Sequence, residues 1–213
     1  MVTIYFLSGL GSDERIFKNL KLKNCDLKFI QWIEPFSYES LPNYSKRLSE
    51  QIKCDNDIIL VGLSFGGIVV QELAKLVNPK SVILLSSIKN EFEKPFYLKF
   101  LYYSKLHKIL PYKLSKKITP LFYRSMGALT SEEQLLVKEF VQNTSITLLR
   151  WSVEQIVNWK QIDSYPKIYQ IHGSKDKVFP INYMNPDYII KEGTHFMAYN
   201  KPNEISEIIL NLL

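Results

Sequence analysis

Asp57-Ile58-Ile59-Leu60-Val61-Gly62-Leu63-Ser64-Phe65-Gly66-Gly67 is the stretch that decides the fold of this chain. From Ile58 to Val61 it is continuously apolar, with no polar residue alternating in. Such a run has both faces buried, as central strands of parallel sheets do. Helical spacing sets in at Gly67 and continues to Leu76, then stops before Asn78-Pro79, where proline cannot extend a helix. A buried strand passing directly into a helix predicts a βαβ unit.

Working outward, Val2 to Leu7 and Leu27 to Trp32 read as strands before this unit, and Ser81 to Ser86 reads as one after it. Tyr44 to Lys53 has helical spacing, with Leu48 and Ile52 on one side. Alternating strand and helix argue for a parallel sheet with right-handed crossovers. Between Ile88 and Trp159 the pattern changes. Aromatics (Phe92, Phe96, Tyr97, Phe100, Tyr102, Tyr103) mix with Lys94, Lys99, Lys105 and Lys108, and Pro95, Pro111 and Pro120 divide the block into short helical pieces. Thr130-Ser131-Glu132-Glu133 predicts a helix start capped by Thr130. Strands resume at Lys167 to Gly173 and at Tyr188 to Ile190, and a helix from Pro202 to Leu212 closes the chain on Ile205, Ile208, Ile209 and Leu212. The expected architecture is α/β: a mainly parallel sheet flanked by helices, built from residues 1–87 and 160–213, with residues 88–159 as a helical cap or lid.

Composition removes several classes. At 213 residues, 46% hydrophobic and 23% charged, the chain is expected to fold rather than remain disordered. Its first residues lack a basic region and a cleavage site, so they read as a strand and not a signal peptide. No apolar run approaches the roughly 18 residues that span a bilayer. The two cysteines, Cys25 and Cys54, have no metal-type spacing and read as free thiols of a reducing compartment, so the expectation is a soluble, cytoplasmic protein with no metal or other cofactor. The net charge of +6 reads as spread over the chain and serving solubility, and no nucleic-acid-binding motif accompanies it.

Gly62-Leu63-Ser64-Phe65-Gly66 matches G-x-S-x-G, a sharp strand-to-helix turn that raises a serine oxygen clear of the sheet. Side chains at the two glycine positions would collide with the neighbouring strand and helix. A serine hydroxyl is a weak nucleophile until a positioned base takes its proton. Of three histidines, His195 follows the last strand and precedes the final helix, which puts it on a loop at the carboxyl edge of the sheet. His172 closes a strand and reads as packed or loop-anchoring, and His107 reads as solvated or partly buried in the helical block. The acid is expected between the serine and the histidine in chain order. Asp176 leaves its strand at the correct edge, whereas Asp163 and Asp187 lead into strands at the other. Backbone N–H groups of Phe65, next to the serine, and Leu10, in the Leu7-Ser8-Gly9-Leu10-Gly11-Ser12 loop, are the expected oxyanion donors.

These four elements resemble the α/β-hydrolase superfamily: the serine elbow, the Ser8-Gly9-Leu10-Gly11 loop, His172-Gly173-x-x-Asp176, and Gly193-Thr194-His195-Phe196. The likeness covers nearly the whole chain, and residues 88–159 fall at the family's cap position. It implies a compact, N-terminally trimmed sheet. One departure is Ser8-Gly9 where many relatives have His-Gly. The implied chemistry is acyl transfer through Ser64 on a carboxylic ester or thioester, with a small-molecule or carrier-linked substrate. A triad-dependent lyase, a C–C-bond hydrolase and a non-catalytic ligand-binding protein remain open alternatives at this level. In the cap, Phe96, Phe100 and Tyr103 are expected to line an acyl pocket, or else the aromatics pack the cap onto the core. The cap lysines either meet an anionic group or face water. Trp151 and Trp159 read as core.

Overall fold

Among the described residues six strands form one sheet, and every neighbouring pair is parallel. They are β1 (Val2–Leu7), β2 (Cys25–Ile30), β3 (Ile58–Leu63), β4 (Ser81–Leu85), β5 (Ile168–Gly173) and β6 (Tyr188–Ile190), in the order β2-β1-β3-β4-β5-β6. The structure is a computed structural model and describes residues 2–53, 57–112, 116–161 and 167–213. The strand order reverses between β1 and β3, so the loops leaving these two strands diverge to opposite sides of the sheet and open a crevice at their carboxyl ends. Leu7 pairs with Gly62 in that register, which sets the loop after β1 beside Ser64.

Alternation along the strands splits the core in two. Tyr5, Leu7, Leu60, Val82 and Leu84 belong to one buried cluster, and Ile4, Phe6, Ile59, Val61, Ile83 and Leu85 to the other. Helices α1 (Leu41–Ser49) and α2 (Phe65–Val77) cover the first face. The short α7 (Met197–Asn200) and α8 (Pro202–Asn211) cover the second. Helix α1 begins three residues before the position the spacing predicts, because Ser40 accepts a cap bond from Asn43 N–H and Pro42 sits in the first turn. Helix α2 ends where Asn78 turns left-handed, at φ 47°, and donates its N–H to Ala74.

Four α-helices lie between β4 and β5 among the described residues: α3 (Phe96–Ser104), α4 (Pro120–Met126), α5 (Ser131–Asn143) and α6 (Ile146–Asn158). Thr130 and Glu133 form a reciprocal capping box at the start of α5. Leu136, Val137 and Phe140 of α5 join one core, while Leu148, Trp151 and Val157 of α6 join the other. The inserted helices therefore straddle the carboxyl edge of the sheet. Trp151 and Trp159 are buried as expected, their indole N–H groups donating to the Glu39 carbonyl at 2.7 Å and the Glu72 carboxylate at 3.0 Å. His107 is buried rather than solvated, with Nδ1 3.0 Å from the Leu101 carbonyl and Nε2 2.8 Å from the Glu154 carboxylate. Lys94 is also buried and donates to the Val157 and Trp159 carbonyls at 2.8 and 2.5 Å, holding the end of α6. Burial lowers its ammonium to about 8.

Cys25 is a free thiol, and Cys54 lies outside the described residues. Among the described residues no helix is long and apolar enough to cross a membrane.

Candidate active site

Ser64 stands between β3 and α2 with φ 53° and ψ −121°, a conformation that costs a non-glycine residue on the order of 1–3 kcal/mol. Its surroundings hold it there. Its N–H donates to the Leu85 carbonyl at 2.9 Å, and its own carbonyl accepts from the Ser87 hydroxyl at 2.6 Å and from Gly67 N–H at 2.9 Å. The turn closes only because the flanking residues lack side chains. A Cβ at Gly62 would lie 2.5 Å from the Gly66 carbonyl oxygen, and one at Gly66 would strike the backbone of Leu7 and Ser8. Ser87 carried no sequence signal for this role, because its contact depends on the β3–β4 register that pairs Leu63 with Leu85.

His195 leaves the segment after β6 and presents Nε2 to Ser64 Oγ at 2.9 Å. Its Nδ1 lies 2.8 Å from Asp176 Oδ2. Asp176, just past the end of β5, has its other oxygen occupied by the N–H groups of Val178 and Phe179, both at 2.8 Å. Burial pushes this carboxyl's pKa up, but His195, His172 and the Phe179 N–H together outweigh burial and hold it below the ordinary carboxylate value. Asp176 is thus an ionised acceptor, and the group facing it must donate. The neutral imidazole then carries its proton on Nδ1 and leaves Nε2 free to accept from the serine hydroxyl. The Phe179 ring packs edge-on against the imidazole at 5.7 Å and helps fix its plane.

One competing carboxylate, Asp187, does not reach this cluster. Asp187 precedes β6 and accepts from Gln170 N–H at 2.8 Å, and Asp163 lies outside the described residues. His172 is fully buried and donates from Nε2 to the Phe179 carbonyl at 2.7 Å, anchoring the turn that carries Asp176. Burial drives its pKa down, only partly offset by Asp176, so a second charge does not compete for that carboxylate.

On the facing side, Ser8 anchors the loop that follows β1. Its hydroxyl donates to the Ser12 carbonyl at 2.6 Å and accepts from Trp32 Nε1 at 3.0 Å. This closes the loop so tightly that a Cβ at Gly9 would lie 3.3 Å from the Ser64 Cβ. Leu10, next along, borders the cavity above Ser64. Phe65 opens α2, so its N–H is among the first-turn donors without an intrahelical acceptor.

A cavity of about 300 Å³ opens beside Ser64 and His195. Leu98 of α3, Phe122 and Met126 of α4, Val137 and Phe140 of α5, and Ile156 of α6 line it, and no Asp, Glu, Lys or Arg does among the described residues. Phe96, Phe100 and Tyr103 do not. They are 69%, 51% and 80% exposed, which corrects the expectation that they form the acyl pocket. Helix α3 turns Leu98 and Leu101 inward, and the three aromatics fall on the opposite face at positions i, i+4 and i+7. The lining residues had a weaker signal: Val137, Phe140 and Val141 recur at i, i+3 and i+4 behind the Thr130 cap.

No family model matches the chain, and no curated protein matches it in sequence. Solved structures match it closely in shape. ClbQ from the colibactin NRPS/PKS pathway is 15% identical with a TM-score of 0.65, over 99% of this chain and 95% of its own. A Bacillus megaterium epoxide hydrolase is 12% identical with a TM-score of 0.68, over 99% and 93%. A thermophilic esterase from Thermogutta terrifontis is 13% identical with a TM-score of 0.68, over 100% and 89%. Identities this low establish architecture, and one architecture serves many chemistries.

Proposed function

This chain has the α/β-hydrolase fold, and from that premise we propose that it is a serine hydrolase cleaving a carboxylic ester or thioester. The observation that carries the reading is the unbroken series Ser64 Oγ to His195 Nε2 at 2.9 Å and His195 Nδ1 to Asp176 at 2.8 Å, mounted on a strained strand-to-helix turn.

In the first step Ser64 Oγ bonds to the acyl carbon while its proton passes to His195 Nε2. The carbonyl oxygen becomes an oxyanion that accepts from the N–H groups of Phe65 and Leu10. Collapse breaks the bond to the leaving oxygen or sulfur, which takes the proton from His195 and departs as alcohol or thiol. In the second step water gives a proton to the same nitrogen and attacks the acyl-enzyme, releasing the acid and restoring Ser64. Asp176 stays ionised throughout and offsets the imidazolium charge. No metal or other cofactor enters either step.

The cavity supports a neutral, apolar acyl group, since a charged one would lose its hydration there without gaining a partner. The leaving group, whether small or carrier-linked, lies on the solvent side of the scissile bond. Ligand pockets run from roughly 300 to 1,000 Å³, so a cavity at the low end fits an acyl chain on the order of six to ten carbons. Measured kcat/KM for a series of p-nitrophenyl esters and acyl thioesters should rise about fourfold per methylene until the cavity is filled, then level off. A profile flat from acetyl onward, or a preference for acyl groups ending in a carboxylate, would refute this assignment of the cavity.

A further inference from the structure

The positive charge of this protein is not spread evenly. From Lys94 to Ser131 there is no Asp or Glu, yet eight of the 27 basic residues fall in that stretch, leaving the rest of the chain slightly acidic. Lys99, Lys105, Lys108, Lys117 and Arg124 are exposed there. The same stretch carries apolar side chains that nothing covers: the Phe96, Phe100 and Tyr103 stripe of α3, then Ile109 at 76% and Leu121 at 74% exposure. Single exposed apolar residues are ordinary, but a cluster of this kind marks an interaction surface. Tyr97 and Phe122 are exposed in part and also line the cavity, so the apolar face runs into the mouth of the site.

We propose that this basic, aromatic face, formed by α3, α4 and the described residues between them, docks on an anionic lipid surface. Charge complementarity calls for a negatively charged partner, and the residue types select which one. Protein interfaces favour arginine and are depleted in lysine, whereas here lysine supplies four of the five exposed charges. Lysines on flexible stems beside Phe, Tyr, Leu and Ile are the composition of segments that lie in the headgroup region, with the apolar groups inserted and the ammonium groups outside. The 3.6-residue repeat of the α3 stripe gives that insertion one continuous edge. The inference needs no assumption about which acyl bond the site cleaves.

The test is co-sedimentation of the full chain with phosphatidylcholine vesicles, with and without a minority of phosphatidylglycerol. Binding is expected only with the anionic lipid, and added salt should reverse it. Each lysine near such a surface contributes about fivefold in partitioning, so K99Q/K105Q/K108Q should bind on the order of a hundredfold more weakly. F96S/F100S/Y103S should also lose binding. Melting temperatures of both variants are compared with that of the parent to establish that they fold. Parent protein that stays in the supernatant with anionic vesicles overturns the proposal, as does folded variant protein that sediments like the parent. A dimer in light scattering that the aromatic variant converts to monomer would also overturn it, because a second copy of the chain would then cover the face.

Discussion

Ser64→Ala is expected to lower kcat for a soluble p-nitrophenyl ester by roughly 10⁴- to 10⁶-fold, while KM stays within a few fold. In the proposed mechanism the hydroxyl is the only group of the series that forms a bond to the substrate, so its removal leaves whatever the oxyanion donors and the cavity supply. In the proposed complex the acyl chain is held by Leu98, Phe122, Met126 and their neighbours, cavity-lining residues that the substitution leaves unchanged. The fold should be indifferent. Ser64 Oγ is hydrogen-bonded to His195, whereas the turn is held by the Ser64 backbone, Leu85 and Ser87, so the melting temperature is expected to stay within a few degrees. Steady-state kinetics together with a thermal melt check both halves. An alanine variant with parental turnover would mean that another group does the chemistry.

Asp176→Asn should cost on the order of 10⁴-fold in kcat for a different reason. The side chain keeps its shape, and its carbonyl oxygen goes on accepting from Val178 and Phe179 N–H, the two donors that fix the turn. Its amide NH₂ is then the group facing His195 Nδ1 and must donate. That forces the imidazole proton onto Nε2, where it points at Ser64 and cannot accept the hydroxyl proton. The signature is a large fall in kcat with a small change in KM and in thermal stability. Asp176→Ala, by contrast, also strands the buried Phe179 N–H, at about 1–3 kcal/mol, and the part-buried Val178 N–H, and should melt visibly lower. If Asp176→Asn retained most of its activity, the orienting role would fall to another residue.

How much of this was legible before the structure depends on how local each feature is. The elbow was readable because its causes lie within ten residues: a buried strand, two glycines with no room for a Cβ, and a helix that starts at once. Asp176 and His195 were readable because each follows a strand at the carboxyl edge, and parallel topology brings those edges together. Residues whose environment is set by distant partners were not. His107 has the sequence surroundings of a surface residue, and its burial depends on packing that brings it to the Leu101 carbonyl and to Glu154 of α6. The cavity is the clearest case. It takes one face from each of four helices, and nothing in the local sequence of α3 shows whether Tyr97 or its neighbours Phe96 and Phe100 will face inward. That choice is made by Leu98 and Leu101 docking into the core. The Ser8 loop is intermediate. Its glycines announced a close approach, but its anchoring through Trp32 joins residues from separate strands' ends.

Mass analysis of the protein after reaction with a fluorophosphonate probe tests the activated serine most directly, since the reagent needs a nucleophilic oxygen and no guess about the substrate. A base-activated Ser64 predicts one adduct per chain, mapped to the peptide containing Gly62-Leu63-Ser64-Phe65-Gly66, absent from Ser64→Ala and slowed by orders of magnitude in His195→Ala. No adduct, an adduct on a different residue, or equally fast labelling without His195 would contradict it.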